Sequence, residues 1–420
     1  MNQRFLPLLP ALCIGTALPA FADGTDPAEV VKTYADIAQA GYEDSLTLAR
    51  KLDTAVDALL AAPSPETLAA ARTAWIASRV PYQQTEAFRF GNPAVDEWEG
   101  KVNAWPLDEG LIDYVDPLLG GNDENPYAVV NVVANPEITV AGRQLDATRI
   151  TPDLIRSLHE IDGIEANVAT GYHAIEFLLW GQDLNGTDAG AGNRPATDFD
   201  TANCTGGNCD RRGQYLSAAT ELLVSDLEDA VAMWSDGGEA RAQVTADPTT
   251  GLVMAFTGIG SLSYGEQAGQ RMKLGLMLHD PEEEHDCFSD NTFNSHFYDG
   301  LGMFNVYTGR YVRIDGSAVE GPSLRDVVAD SDPALADALL ADMDATMIAL
   351  ARIKAVGEAG TAYDQLLAPG NAPGEALVQT AIDSLVAQTR NIERAVQIVG
   401  LAPIAVEGSD SLDNPDAVFQ

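Results

Sequence analysis

The sequence predicts an all-α protein: two helical bundles packed side by side, with few and short strands. Three observations lead there. Proline-led caps recur along the chain, apolar residues between them follow helical spacing, and alternating apolar–polar runs are scarce.

The helices follow in order. Asp26-Pro27-Ala28-Glu29 supplies an N-cap, a proline at the first helical position and an acid in the first turn. Apolar spacing carries that helix through Val30, Ala35, Ile37, Leu46 and Leu48 to about Leu60, with a bend expected near Gly41. Pro63-Ser64-Pro65-Glu66 starts a second through Leu68, Ala71, Trp75 and Ile76. Thr151-Pro152-Asp153 opens another towards a helix at Gly171, which Gly181 is placed to stop. Residues 183–212 turn polar and glycine-rich, a loop or linker signal. Beyond it, helices are predicted from Tyr215 to Trp234, from Leu252 to Leu278, from Asp332-Pro333 through Leu350, and from Pro373 to near Gly400. Strand signals are confined to Ile138-Thr139-Val140 and Val312-Arg313-Ile314. The predicted division is therefore residues 23–190 and 205–405. A faint echo, Pro81 to Glu86 against Ser263-Tyr264-Gly265-Glu266, gives the halves the look of a pseudo-repeat.

Residues 1–22 read as a signal peptide. Arg4 precedes an apolar run from Phe5 to Leu18, and Ala20-Phe21-Ala22 gives the small-x-small cleavage pattern. The run is too short for a comfortable membrane span. Ile14 after Cys13 does not suit a lipoprotein site. The expected location is the periplasm or the cell surface. Three cysteines remain after cleavage. Cys204 and Cys209 bracket Thr205-Gly206-Gly207-Asn208 and read as a local disulfide, or else as half a zinc site with no second pair to complete it. Cys287 is left over.

Charge excludes whole classes of partner. With 63 acidic against 24 basic side chains and a formal charge of −39, the surface repels nucleic acid and anionic lipid. A hydrophobic content of 46% is ample for a large core, so disorder does not explain the acidity.

Gly171-Tyr172-His173-Ala174-Ile175-Glu176 carries the sharpest chemical signal. His173 and Glu176, three apart on a helix, share a face and can bind one ion. Ile175, Phe177, Leu178, Leu179 and Trp180 make that helix apolar nearly all round, hence buried. A buried carboxylate must be paired, metal-bound or protonated. The plainer alternative is a buried histidine bonded to a neighbouring glutamate. Three further segments are unusually polar: Glu86 to Arg89 with Asp96, Trp98 and Glu99; Asn103 to Glu109 with Asp113 and Tyr114; and Glu282 to Thr292. In the last, His285 and Asp286 suit a metal, while the triple-glutamate run after Pro281 reads first as a solvated helix start.

These segments resemble a known family. Gly171 to Glu176 is similar to the Gly-x-His-x-x-Glu signature of the imelysins. Pro81 to Gly91, Trp105 to Gly110 and His285 to Thr292 resemble the branch of iron-regulated imelysin-like proteins. Phe293 stands where that pattern has a histidine. The resemblance implies an exported protein of two helical bundles with a site between them, associated with bacterial iron acquisition. The family has also been classed with metallopeptidases, but His159-Glu160 is followed by no second histidine and Phe177 breaks the inverse pattern. Binding is therefore preferred to hydrolysis. The expected metal ligands are His173, Glu176 and Glu86, holding iron first, with zinc or copper as alternatives. Glu266, Arg271, Asp290 and Asn291 are expected to complete the site from the second half, where Arg271 either neutralises a bound anion or ties its own bundle together. The expected partners are a metal ion or a metal carrier such as haem or a siderophore, and a membrane uptake component.

Overall fold

The caps define the helices. The computed structural model describes residues 24–117 and 125–419, so the signal-peptide reading over residues 1–22 lies outside the described residues. The side chain of Asp26 accepts from Ala28 N and starts α1 (Pro27–Ala61), which continues through Gly41. A Ser64–Thr67 capping box starts α2 (Pro65–Gln83). A 3₁₀ turn at Glu86–Phe88 precedes α3 (Pro93–Asn103). An antiparallel hairpin, β1 (Glu137–Val140) with β2 (Arg143–Asp146), pairs Ile138 with Leu145. Thr151 caps α4 (Pro152–Leu158), and α5 spans Gly171–Trp180. Next come α6 (Cys209–Trp234), α7 (Glu239–Thr245) and α8 (Pro248–Ser261). The last of these runs without a break into a π-helical segment, Leu262–Lys273, and on into α9 (Leu274–Leu278).

The remainder is α10 (Thr292–Thr308), the hairpin β3 (Arg310–Val312) with β4 (Ala318–Glu320), α11 (Leu324–Ser331), α12 (Pro333–Glu358), α13 (Tyr363–Leu367) and α14 (Ala372–Ile398). The second strand signal is thus realised at Arg310–Val312, and Arg313 to Gly316 forms the turn. The fold is all-α apart from these two hairpins.

Packing follows the apolar faces. The long helix α1 lies against α2, α6 and α8, with Tyr34, Phe88 and Trp234 meeting edge to face in the core between them. In the second half, α12 pairs with α14, and both α10 and the π-helical segment pack into that group. Helix α6, which the sequence reading assigned to the second bundle, packs on α1, α4 and α5 instead. Its Tyr215, Leu216, Leu223 and Leu227 are fully buried there, and its Arg212 pairs with Asp113 at 2.6 Å. A sequence break at residues 183–212 marks a loop, but the chain crosses it and returns to the same core.

The π-helical segment has a structural partner. Gly265 and Gly269 leave no Cβ in the way of the C-terminal stretch, since an added Cβ would lie 2.5 Å from Glu407 O and 2.3 Å from Ser409 Cβ. Ser411 donates to Gly269 O at 2.9 Å and Tyr264 to Asp413 Oδ1 at 2.7 Å. π-Helical turns are rare and concentrate at functional sites. This one carries Glu266, Gln267 and Arg271 towards the interior.

The disulfide reading holds: Cys204 and Cys209 are bridged, and Cys287 is free and buried. Among the described residues no helix is long and apolar enough to cross a membrane.

Candidate metal centre

Every residue of α5 is buried, and its two polar side chains face one cluster. His173 Nδ1 meets Glu176 Oε2 at 3.0 Å. Glu176 Oε1 accepts from both the backbone N–H and the hydroxyl of Ser289, at 3.0 and 2.7 Å. The pair predicted from helical spacing therefore forms, and the 280s loop completes it.

That loop also brings two ligand-type groups that the expected ligand set left out. One donor atom each of His173, His285 and Asp286 lie within 4.8 Å of one another, and all three residues are buried. The imidazoles of His173 and His285 are 4.8 Å apart, and Trp105 covers His173 at 5.0 Å. Both Nε2 atoms are buried without a hydrogen-bond partner. Burying two imidazoles with unmet nitrogens is costly unless something binds them. Two histidines and one carboxylate form a donor set that serves iron, zinc or copper.

Asp286 is held at both carboxylate oxygens. Arg79 donates to its Oδ1 at 2.7 Å, while Asn291 (2.8 Å) and Ser295 donate to Oδ2. Oδ1 keeps its remaining acceptor capacity towards His173, 4.0 Å from Nδ1. Arg79 is itself positioned by Asn103 Oδ1 at 2.6 Å and covered by Tyr172 and Trp75. Such outer partners orient a ligand and fix its charge.

Electrostatics sorts the four groups. Burial, with the Arg79 charge second, holds the His173 imidazole well below its ordinary value, and burial with Arg271 does the same to His285. Both are neutral near pH 7, the form that binds metal. Burial raises Asp286, but Arg79 and His173 outweigh it and keep the carboxyl below its usual range. Burial and the facing Asp286 push the Glu176 carboxyl well above its ordinary range.

The other expected site residues divide three ways. Glu86 is not in the cluster: its Oε2 accepts from Arg271 Nη2 at 2.7 Å. One of its oxygens is engaged by that guanidinium, and the carboxylate beside His173 is Asp286, 4.0 Å from Nδ1. Arg271 also donates to Glu266 Oε1 (2.8 Å) and Asp299 Oδ2 (3.0 Å), so it pairs within its own half and across to the other. Asn291 supports Asp286 without facing the imidazoles' shared centre. Asp290 lies near Asp364 and Asp183, and burial with those two charges pushes its carboxyl to about 7.

An open cavity of about 780 Å³ leads to the cluster. His285, Asn103 and Trp105 form part of its wall, as do Arg271, Glu266 and Glu99. Its wall holds more carboxylates than cationic side chains, a lining that draws cations inward and opposes anions.

Sequence reasoning noted His285 and Asp286 but set them behind the helical pair, and it missed Arg79. A histidine–aspartate pair on a loop has no period to mark it, and an arginine inside α2 is indistinguishable from a surface one. The triple-glutamate run is corrected too. It forms a single 3₁₀ turn, Pro281–Glu283, and Glu284 beyond it is 1% exposed.

Comparison with known proteins adds the family. The family model described as imelysin matches residues 38–392. A solved structure, provisionally described as an iron-regulated protein A precursor from Parabacteroides distasonis, superposes with a TM-score of 0.63 at 19% identity. It covers 91% of this chain and 98% of its own. At that identity the likeness establishes the fold. No curated protein matches the chain.

Proposed function

Since the chain belongs to the imelysin family, we propose that it is an exported protein of iron acquisition that binds a metal ion, iron first, through His173, His285 and Asp286. Glu176 supplies a further carboxylate beside them. One observation carries this reading: two buried imidazoles, each with an unpartnered Nε2, converge on a carboxylate that Arg79 keeps ionised. The bound metal would act there as a Lewis acid or simply as cargo. The residues around it would orient the ligands.

The acidic cavity favours a cation over an anionic carrier. Haem propionates or a carboxylate siderophore would meet Glu97, Glu160 and Glu165 on the way in, which costs affinity. A periplasmic or surface location and a membrane uptake component fit this role. Titration of chelator-stripped protein with iron, copper and zinc tests it. Tight binding of one equivalent, lost in the His173→Ala, Glu176→Ala double variant, is expected. Undiminished binding by that variant overturns the assignment.

A metallopeptidase is the second reading, favoured by Glu176. A buried carboxyl raised well above its ordinary range and hydrogen-bonded within a His–His–Asp cluster has the chemistry of a general acid or base. Chelator-sensitive cleavage of an unfolded protein substrate that disappears in Glu176→Gln would make it the better account.

A further inference from the structure

The 280s loop has a second face. Glu284 is in extended conformation, φ −75° and ψ 136°, and its side chain lines a different cavity from that of His285. His285 turns to His173. Glu284 turns to a separate small cavity, of about 10 Å³, shared with Asp364, Asp183 and Glu282. That volume is the size of one water or one ion.

The carboxylates in that wall are only weakly satisfied by protein. Glu284 is 1% exposed and Asp364 2% exposed; the Thr292 hydroxyl serves Glu284 and the Gln365 N–H serves Asp364, each short of good hydrogen-bond geometry. The Tyr363 hydroxyl, on the residue next to Asp364, is buried and unpartnered. Arginines accompany three other buried carboxylates near the metal centre, Arg79 for Asp286 and Arg271 for Glu86 and Asp299, while Glu176 is held by His173 and Ser289. No ion pair is found at Glu284 or Asp364 among the described residues. Two buried carboxylates lining one small cavity, each within reach of the other's charge, need a cation or a proton.

We propose that Glu284 and Asp364 bind a hard divalent cation of the calcium class, independently of the His173 centre. Carboxylate oxygens are the donors such ions take, and water and backbone oxygens fill their remaining positions. Asp183 and Glu282 add negative charge at the mouth. The site joins the 183 loop, the 280s loop and α13, and so fastens the loop that carries His285, Asp286 and Ser289.

Terbium luminescence on the full-length protein tests this, in salt high enough to screen the acidic surface. Tyr363 stands close enough to sensitise a bound lanthanide. One saturable terbium equivalent, displaced by calcium, is expected in the wild type and equally in His173→Ala. Glu284→Gln and Asp364→Asn are each expected to weaken it at least about tenfold, the loss seen even for outer partners of a metal site. Calcium is also expected to raise the Tm of the wild type, a measurement that needs no variant. Absence of a saturable terbium site and of a calcium effect on Tm leaves a proton and overturns the proposal. Because Cys287 also lines the cavity, displacement by zinc at lower concentration than by calcium would overturn the hard-cation assignment.

Discussion

Arg271 donates to Glu86 Oε2 at 2.7 Å across 185 residues of sequence, and the same guanidinium holds Glu266 and Asp299. Glu86 and Glu266 are the glutamates of the two echoing segments, so both copies of that echo end on one arginine. The centre of the molecule is thus fastened by a cation that serves three carboxylates.

Removing that cation leaves buried charge unpaired. Arg271→Met is expected to lower the unfolding free energy by about 3–5 kcal/mol, the usual cost of breaking a buried ion pair from one side. Glu86→Gln keeps a hydrogen-bond acceptor for Arg271 and should cost less. Denaturant unfolding of metal-free protein measures both. A loss below about 1 kcal/mol for Arg271→Met, typical of exposed pairs, would show that the triad carries no structural load.

The proposed ligand set makes a sharp contrast between two glutamate-rich neighbourhoods. Glu86→Gln should leave the metal stoichiometry and affinity of the His173 centre nearly unchanged. His285→Ala should lower the affinity by at least about tenfold, as loss of even an outer partner does. Calorimetric titration with iron and zinc compares the two variants directly, and a reversed order would restore Glu86 as ligand.

What the sequence made legible is local. The caps at Asp26, Ser64, Thr151 and Asp332 each accept the predicted backbone N–H, and Gly181 ends α5 at φ +74°. Burial of His173 and Glu176 followed from the apolar residues around them. Long-range meetings were not legible. Ser289 reaches Glu176 across 113 positions and Arg79 reaches Asp286 across 207, and neither contact leaves a periodic trace. The placement of α6 was hidden for the same reason: its apolar stripe predicts burial but not which helix covers it.

The position of α6 changes what a fragment can do. Residues 23–190 contain α1 to α5 but lack the helix that covers α1 and the Arg212 that pairs with Asp113. They also lack His285 and Asp286. The isolated fragment is expected to show reduced helicity, a noncooperative thermal transition and no tight metal binding. A cooperative transition with native-like affinity would contradict both the packing and the ligand set.

Glu99 gives stability a pH dependence. Burial pushes its carboxyl to about 7, with Arg89 and Arg271 opposing and Glu86 and Glu266 adding repulsion. Tyr42 from α1 and Tyr82 from α2 also face it. In the unfolded chain an ordinary glutamate titrates near about 4.3. The folded protein therefore binds this proton more tightly. The stability it contributes is complete below about pH 4.3 and is lost as pH rises through about 7. Glu99→Gln cannot lose that proton, so its stability relative to wild type should improve from pH 5 to pH 8. An unchanged difference across that range would remove Glu99 as the cause.

Gly171 opens the signature for a steric reason that also protects the site. Its φ is +82°, a region that side chains disfavour, and an added Cβ would lie 2.4 Å from Val102 O. The first turn of α5 thus presses directly on the end of α3, and Trp75 Nε1 donates to Tyr172 O at 2.9 Å just beyond. Alanine at 171 must strain the backbone or push α5 away, which costs roughly 1–3 kcal/mol for the conformation alone. Any displacement moves His173, two residues on, relative to the 280s loop. Gly171→Ala is therefore expected to lower the Tm and, in the fraction still folded, to weaken metal binding as well. A variant with reduced Tm but wild-type affinity would show that α5 absorbs the strain before His173, and that the glycine serves packing alone.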